Sequence, residues 1–160
     1  MIRALLMLLI SFGSFHAASQ NVSAVDSIEI ADKISDWNKA WKLKDPVLAA
    51  KWYTEKADFT NAFGFTMIGK SAIEPYLTEV FGFDFVMAGN TEQTSLKLKS
   101  ISKNAILAIT TVERKGQQTV DKKSLGTRNT THYRLFEKTN GWFISAHLIS
   151  DARNTESEKH

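Results

Sequence analysis

The order of periodicities along this chain predicts an α+β fold, with helices first and an antiparallel sheet that curls around them. Three observations carry that reading. Ile30, Ile34, Trp37 and Trp41 recur at spacings of three and four, the stripe of an amphipathic helix. From Thr94 onward the chain is a succession of alternating, strand-like segments. Thr139-Asn140-Gly141 before Trp142 is the strongest hairpin signal in the sequence. Consecutive strands that follow helices, rather than alternating with them, favour one sheet packed on one helical layer.

The chain opens with "MIRALLMLLISFGSFHAASQ". Arg3 supplies an early positive charge, Ala4 to Ile10 an apolar run, and Ala17, Ala18 and Ser19 small residues near a cut between Ser19 and Gln20. That is the layout of a cleavable secretory signal over residues 1–19, too short to span a bilayer. The expectation is a periplasmic or secreted protein with no membrane association after cleavage. Of 160 residues, 141 then remain, about one domain, expected over residues 20–150 with a polar tail at 151–160. The absence of cysteine excludes disulfides, thiol nucleophiles and thiolate metal sites.

Loss of Arg3 leaves 19 basic against 17 acidic residues. Lys97, Lys99 and Lys103 alternate with other residues along a strand and Lys122 and Lys123 sit in a loop, with acids between them. A nucleic-acid surface needs clustered cations with stacking aromatics, so these lysines read as a solvated face.

The first helix is expected over Val25–Lys44, with Asp32, Lys33, Asp36, Lys39 and Lys42 on its wet side. Asp45-Pro46 restarts a short second helix over Val47–Tyr53, Asp45 capping and Pro46 at the first helical position. A strand follows over Ala57–Phe63, then a turn from Gly64 to Gly69. Ser71 is a candidate cap for a third helix from Ala72 to about Phe81, where Pro75 is tolerated only near the start. Strands are then read in "TSLKLKSIS", "NAILAITTVER", "TRNTTHYRLFEK" and "WFISAHLIS". In the third of these, Arg128, Thr130, His132, Arg134 and Phe136 share one face, and Asn129, Thr131, Tyr133 and Leu135 the other.

This order, with "AWKLKDPVLAAKWYTEKADFTNAFGFTMIGKSAI" and "GWFISAHLIS", resembles the SnoaL-like and ketosteroid-isomerase-like branch of the nuclear transport factor 2-like superfamily, with exported SgcJ/EcaC-type proteins nearest in flavour. The resemblance implies a cone-shaped, cystatin-like fold, in which a bent sheet wraps a long helix and leaves a pocket open at one end. It places Asn61 where isomerases carry a catalytic carboxylate, with Phe59 and Phe63 on the same wall. Trp37 falls at the position of an oxyanion-binding tyrosine, and His132 at that of a second oxyanion donor. The isomerase dyad itself is missing, because an amide is not a base at neutral pH. The resemblance also implies a homodimer through the outer face of the sheet, with Phe143, His147 and Ile149 as its apolar strip.

Candidate ligand-binding residues are therefore Trp37, Trp41, Phe59, Asn61, Phe63, His132 and Arg134, and candidate catalytic residues are His132 and Asn61. Each has a plainer alternative. His132 can be a strand histidine satisfied by a neighbouring hydroxyl, Asn61 can cap backbone groups where the strand bends before Gly64, and the tryptophans can be core. Trp52, Phe81 and Trp142 read as core. No cofactor and no metal site is called for: His132 and His147 are assigned to different faces, and zinc needs three or four converging ligands. Three functions stay open: capture of a small apolar or amphipathic ligand, a cofactor-independent lyase or isomerase using His132, and a dimeric interaction module without chemistry.

Overall fold

The computed structural model describes residues 21–152, so the segment assigned to a secretory signal lies outside the described residues, as does most of the polar tail. Helix α1 spans Ala24–Leu43. Ser23 caps it, its side chain accepting from the Asp26 N–H at 3.1 Å, and Lys44 ends it in the left-handed region at φ 56°. Asp45 and Pro46 then start α2, Pro46–Ala50, with Asp45 Oδ1 accepting from the Leu48 N–H at 2.9 Å. Strand β1 is Tyr53–Thr60, β2 Thr66–Ile68, β3 Asn90–Ser102, β4 Ala105–Lys115, β5 Arg128–Lys138 and β6 Trp142–Ala152; α3, Lys70–Gly82, and α4, Asp84–Met87, lie between β2 and β3.

The six strands form one curved, unclosed sheet in the order β2-β1-β6-β5-β4-β3. It is mixed rather than wholly antiparallel, because β1 runs parallel to β6 while all other pairs are antiparallel. The concave face holds the core: Ile30, Ile34 and Trp37 of α1, Ile73, Leu77 and Phe81 of α3, and Tyr53, Phe59, Ile106, Phe136, Trp142 and Ile144 of the strands are all buried. Each such side chain contributes about 1.5–3 kcal/mol through burial. The β5–β6 hairpin grips the start of α1, Trp142 Nε1 donating to Asp26 Oδ1 at 2.7 Å and the Trp142 N–H to Glu29 Oε1 at 3.0 Å.

Several expected boundaries move. The second helix stops at Ala50, and Tyr53 opens β1 instead of closing a helix. Strand β1 ends at Thr60 because Asn61 reverses the chain, and the expected turn over Gly64–Gly69 contains the short β2. Helix α3 begins at Lys70 after Gly69, which sits at φ 86°, and uses no side-chain cap, so Ser71 lies inside it. Helix α4 carries no periodic signal in the sequence. Gly89 makes the turn after it possible: a Cβ there would stand 1.9 Å from the Lys115 carbonyl oxygen.

One correction changes the site. In the β5–β6 ladder Leu135 pairs with Ala146 and Phe136 with Ile144, so Ser145 is an extra, bulged residue. The bulge inverts the alternation. Trp142 and Ile144 point inward before it, and His147 and Ile149 after it. His147 is therefore in the core at 2% exposure, not on the outer face, while Phe143 leans on Trp52 with ring centroids 6.2 Å apart.

A buried histidine pair as the candidate functional site

Strands β4 and β5 present their inward residues in paired rows: Arg114 with Arg128, Val112 with Thr130, Thr110 with His132, Ala108 with Arg134, and Ile106 with Phe136. His147 of β6 stands opposite Arg134. This register brings polar groups together in the middle of the concave face, beneath α1. His132 is 6% exposed and Arg134 fully buried.

Their hydrogen bonds form a directed chain. Tyr53 Oη lies 2.5 Å from His147 Nδ1, His147 Nε2 3.0 Å from His132 Nδ1, and His132 Nε2 3.3 Å from Thr130 Oγ1. Arg134 Nη2 is also 3.1 Å from His132 Nδ1, and Nη1 donates to Thr110 Oγ1 at 2.9 Å. A guanidinium can only donate, so His132 Nδ1 is an acceptor and its proton is on Nε2, aimed at Thr130. His147 must then donate from Nε2 to that same Nδ1, which leaves its own Nδ1 to accept the Tyr53 hydroxyl proton. Both imidazoles are neutral in this arrangement.

Electrostatics agree. Burial first, then the positive charge of Arg134, drives the His132 and His147 pKa values well below the ordinary histidine range. Burial raises the Tyr53 pKa, so the phenol keeps its proton. It also lowers Arg134 to about 10, which still leaves a full cation at neutral pH.

Aromatic rings wall the cluster. Trp37 packs edge-on to His147 and His132 at centroid distances of 5.1 and 6.5 Å, and Phe59 lies 5.0 Å from His147. Toward the open end of the sheet, Arg114 stacks over Trp41 at 5.0 Å and is itself lowered by burial to about 10. That end is latched: Arg114 Nη2 and Gln117 Nε2 both donate to the Val86 carbonyl of α4, at 3.0 and 3.1 Å. Beside the latch lies a depression of about 270 Å³, bordered by Phe83, Phe85, Gln118 and Val120.

Of the predicted site residues, Trp37, Trp41, Phe59, His132 and Arg134 share this interior. Asn61 and Phe63 do not join them. Asn61 is 8% exposed, but its Oδ1 accepts from the Phe63 and Phe65 N–H groups at 2.8 and 3.0 Å, and its amide donates to Tyr76 Oη at 2.5 Å. It shapes the β1–β2 turn. Phe63 lies in that turn beyond the end of β1, 64% exposed, and lines no interior wall.

Sequence reasoning missed Tyr53, His147 and Thr110. Tyr53 shares odd-numbered parity with Ala57 and Phe59, a signal available once the helix boundary is set at Ala50. For His147, no feature of "WFISAHLIS" announces the bulge. Among the described residues no group of three histidine, aspartate or glutamate side chains is placed to hold a metal, and no helix is long and apolar enough to cross a membrane.

No protein-family model and no curated protein matches the chain. Solved structures do. An uncharacterized protein with a cystatin-like fold from Caulobacter vibrioides superposes with a TM-score of 0.73 at 16% identity, over 84% of this chain and 94% of that one. A nuclear transport factor 2-like protein of unknown function from Shewanella oneidensis gives 0.62 at 16%, over 78% and 98%. A scytalone dehydratase-like protein from Novosphingobium aromaticivorans gives 0.64 at 15%, over 81% and 85%. At these identities the likeness is one of fold, and it agrees with the order of helices and strands derived above: the chain has the cystatin-like fold of nuclear transport factor 2-like proteins.

Proposed function

We propose that this chain is an exported small-molecule-binding protein of the SnoaL-like type, whose recognition site is the cluster of Tyr53, His132, His147 and Arg134 beneath Trp37. One observation carries the reading. Two imidazoles, a phenol and a guanidinium from three strands meet beside the apolar core, every one of them at least nine-tenths buried. Polar groups in such a place cost stability unless fully satisfied, and an apolar set of the same volume would pack at lower cost. The ligand enters past the Val86 latch and lies against Trp37, Trp41 and Phe59, while His132 and Arg134 fix its orientation.

Native mass spectrometry on protein exported to, and purified from, a bacterial periplasm tests this. The expected result is an extra mass that is released on unfolding and absent from His132→Phe. A bare protein whose thermal midpoint no small-molecule panel shifts would count against it.

A second reading is a cofactor-independent lyase or isomerase, favoured by the direct imidazole–imidazole contact at 3.0 Å. In the resting arrangement His132 Nδ1 is occupied by two donors, so a substrate must displace one of them before His132 acts as a base. A pH–rate limb that disappears in His132→Gln supports catalysis, and turnover unchanged by that substitution removes it. Homodimerisation through the outer face would use the shallow groove of about 200 Å³ bordered by Leu107, Tyr133, Leu135 and Leu148 in place of His147 and Ile149.

A further inference from the structure

Arg134 is a buried cation without an anion. Its side chain is 0% exposed, its Nε has no hydrogen-bond partner, and the two acceptors it does reach, Thr110 Oγ1 and His132 Nδ1, are neutral. Among the described residues it takes part in no ion pair. The carboxylates near the interior are committed elsewhere: Asp151 to Arg128, Asp36 to Lys51 and Trp52, Asp26 to Lys138 and Trp142, Glu29 to Lys33. Arg114, another inward arginine near the open end, donates to the Val86 carbonyl and its Nε is likewise unpartnered, but the negative charge of Asp151 acts on it, as no carboxylate does on Arg134.

We infer that the ligand of this site is an organic carboxylate with a small apolar or aromatic body, its carboxylate paired with the Arg134 guanidinium. The assignment rests on the binding reading above and adds the charge and class of the ligand. The guanidinium bonds Thr110 and lies 5.4 Å from the Trp37 ring centroid, so an anion on its unpartnered Nε–H would carry the ligand body against aromatic walls. A planar carboxylate matches the guanidinium fork with two parallel bonds and brings one negative charge to one buried cation, whereas a phosphate fits the fork equally well but carries a larger charge into the apolar interior. A purely structural arginine would be expected to have a carboxylate of its own chain within reach, because removing a cation from water is offset only by close pairing.

The test compares acids with their neutral amides on the full exported protein: benzoate against benzamide and hexanoate against hexanamide, by thermal midpoint and calorimetry, at matched ionic strength. An acid is expected to raise the midpoint and its amide to leave it unchanged. Arg134→Met should weaken acid binding by roughly tenfold or more while its unliganded midpoint is equal to or above that of the wild type, since an unpaired charge has been removed. Equal shifts from acid and amide overturn the carboxylate assignment yet keep the binding site. Equal shifts from chloride or inorganic phosphate overturn it by reducing the site to a general anion trap. No shift from either acid at millimolar concentration also overturns it, whereas failure of the binding reading is seen separately, as the absence of any retained mass. If Arg134→Met does not fold, the acid-against-amide comparison on the wild type decides alone.

Discussion

Two polar residues that the sequence sets among aromatics, Asn61 and His132, end in opposite situations. Asn61 spends its side chain within four residues of itself and on Tyr76, so its bonds close one turn. His132 reaches β6 and β1 through His147 and Tyr53, and its neighbour Arg134 is left with donors in hand. A polar group satisfied by its own turn stabilises that turn and little else. One satisfied across several strands, with capacity unspent, is where a ligand can add bonds.

The largest difference between the two regions should appear on acidification. His132 and His147 are neutral when folded and take up protons near pH 6.5 when unfolded, so below that pH the unfolded state binds more protons and stability falls. The loss approaches about 1.4 kcal/mol per pH unit for each histidine, about 3 for the pair. Urea unfolding at pH 7, 6 and 5 would measure it. His147→Phe should roughly halve the slope, whereas Asn61→Leu should leave it unchanged. A flat profile for the wild type would mean that the imidazoles are solvated, and the cluster described here would dissolve.

Asn61→Leu should come next, with a cost of about 2–3 kcal/mol from two stranded N–H groups in the β1–β2 turn and the lost bond to Tyr76. The same substitution should not alter ligand-induced stabilisation. If it abolishes binding with the fold intact, the separation drawn between turn and interior is wrong. Tyr53→Phe should cost less, about 1–2 kcal/mol, because only the donor to His147 Nδ1 is removed. Unlike Asn61→Leu, it should also change the NMR signature of the His147 tautomer.

The legible part of this molecule was what depends on periodicity. The α1 stripe, the shared face of His132 and Arg134 on β5, and the Asn140-Gly141 hairpin follow from spacing, whereas the inward direction of that face is given only by the fold. Asn61 reads in the sequence as a strand residue facing the pocket, whereas β1 ends at Thr60 and Asn61 makes the turn, because the pattern of residues does not show where the strand stops. His147 was sent to the wrong face by one residue, Ser145, whose bulge is decided by the β5–β6 register and not by composition. The charge deficit around Arg134 was invisible for a related reason: only the fold shows that every nearby carboxylate already has a partner.

The smallest expected effect sharpens the comparison at the open end of the sheet. Gln117 is 2% exposed and joins two elements, donating to the Val86 carbonyl at 3.1 Å and accepting from Arg128 Nη1 at 3.0 Å. Gln117→Ala removes both bonds, but Arg128 keeps Asp151 and Val86 keeps Arg114, so the stability loss should stay near 1 kcal/mol. What should change is local opening. Helix α4 is four residues long with no fully buried side chain, so that carbonyl, together with the partly buried Met87, carries much of its hold on the rest. Hydrogen exchange at the Val86 and Met87 amides should accelerate in the variant while amides of β5 around His132 keep their protection, and ligand association and dissociation should both become faster with little change in affinity. Uniform acceleration over α4 and β5 would show that the latch and the histidine cluster open as one unit, which would make the interior accessible only through global unfolding and leave the route past Val86 without support.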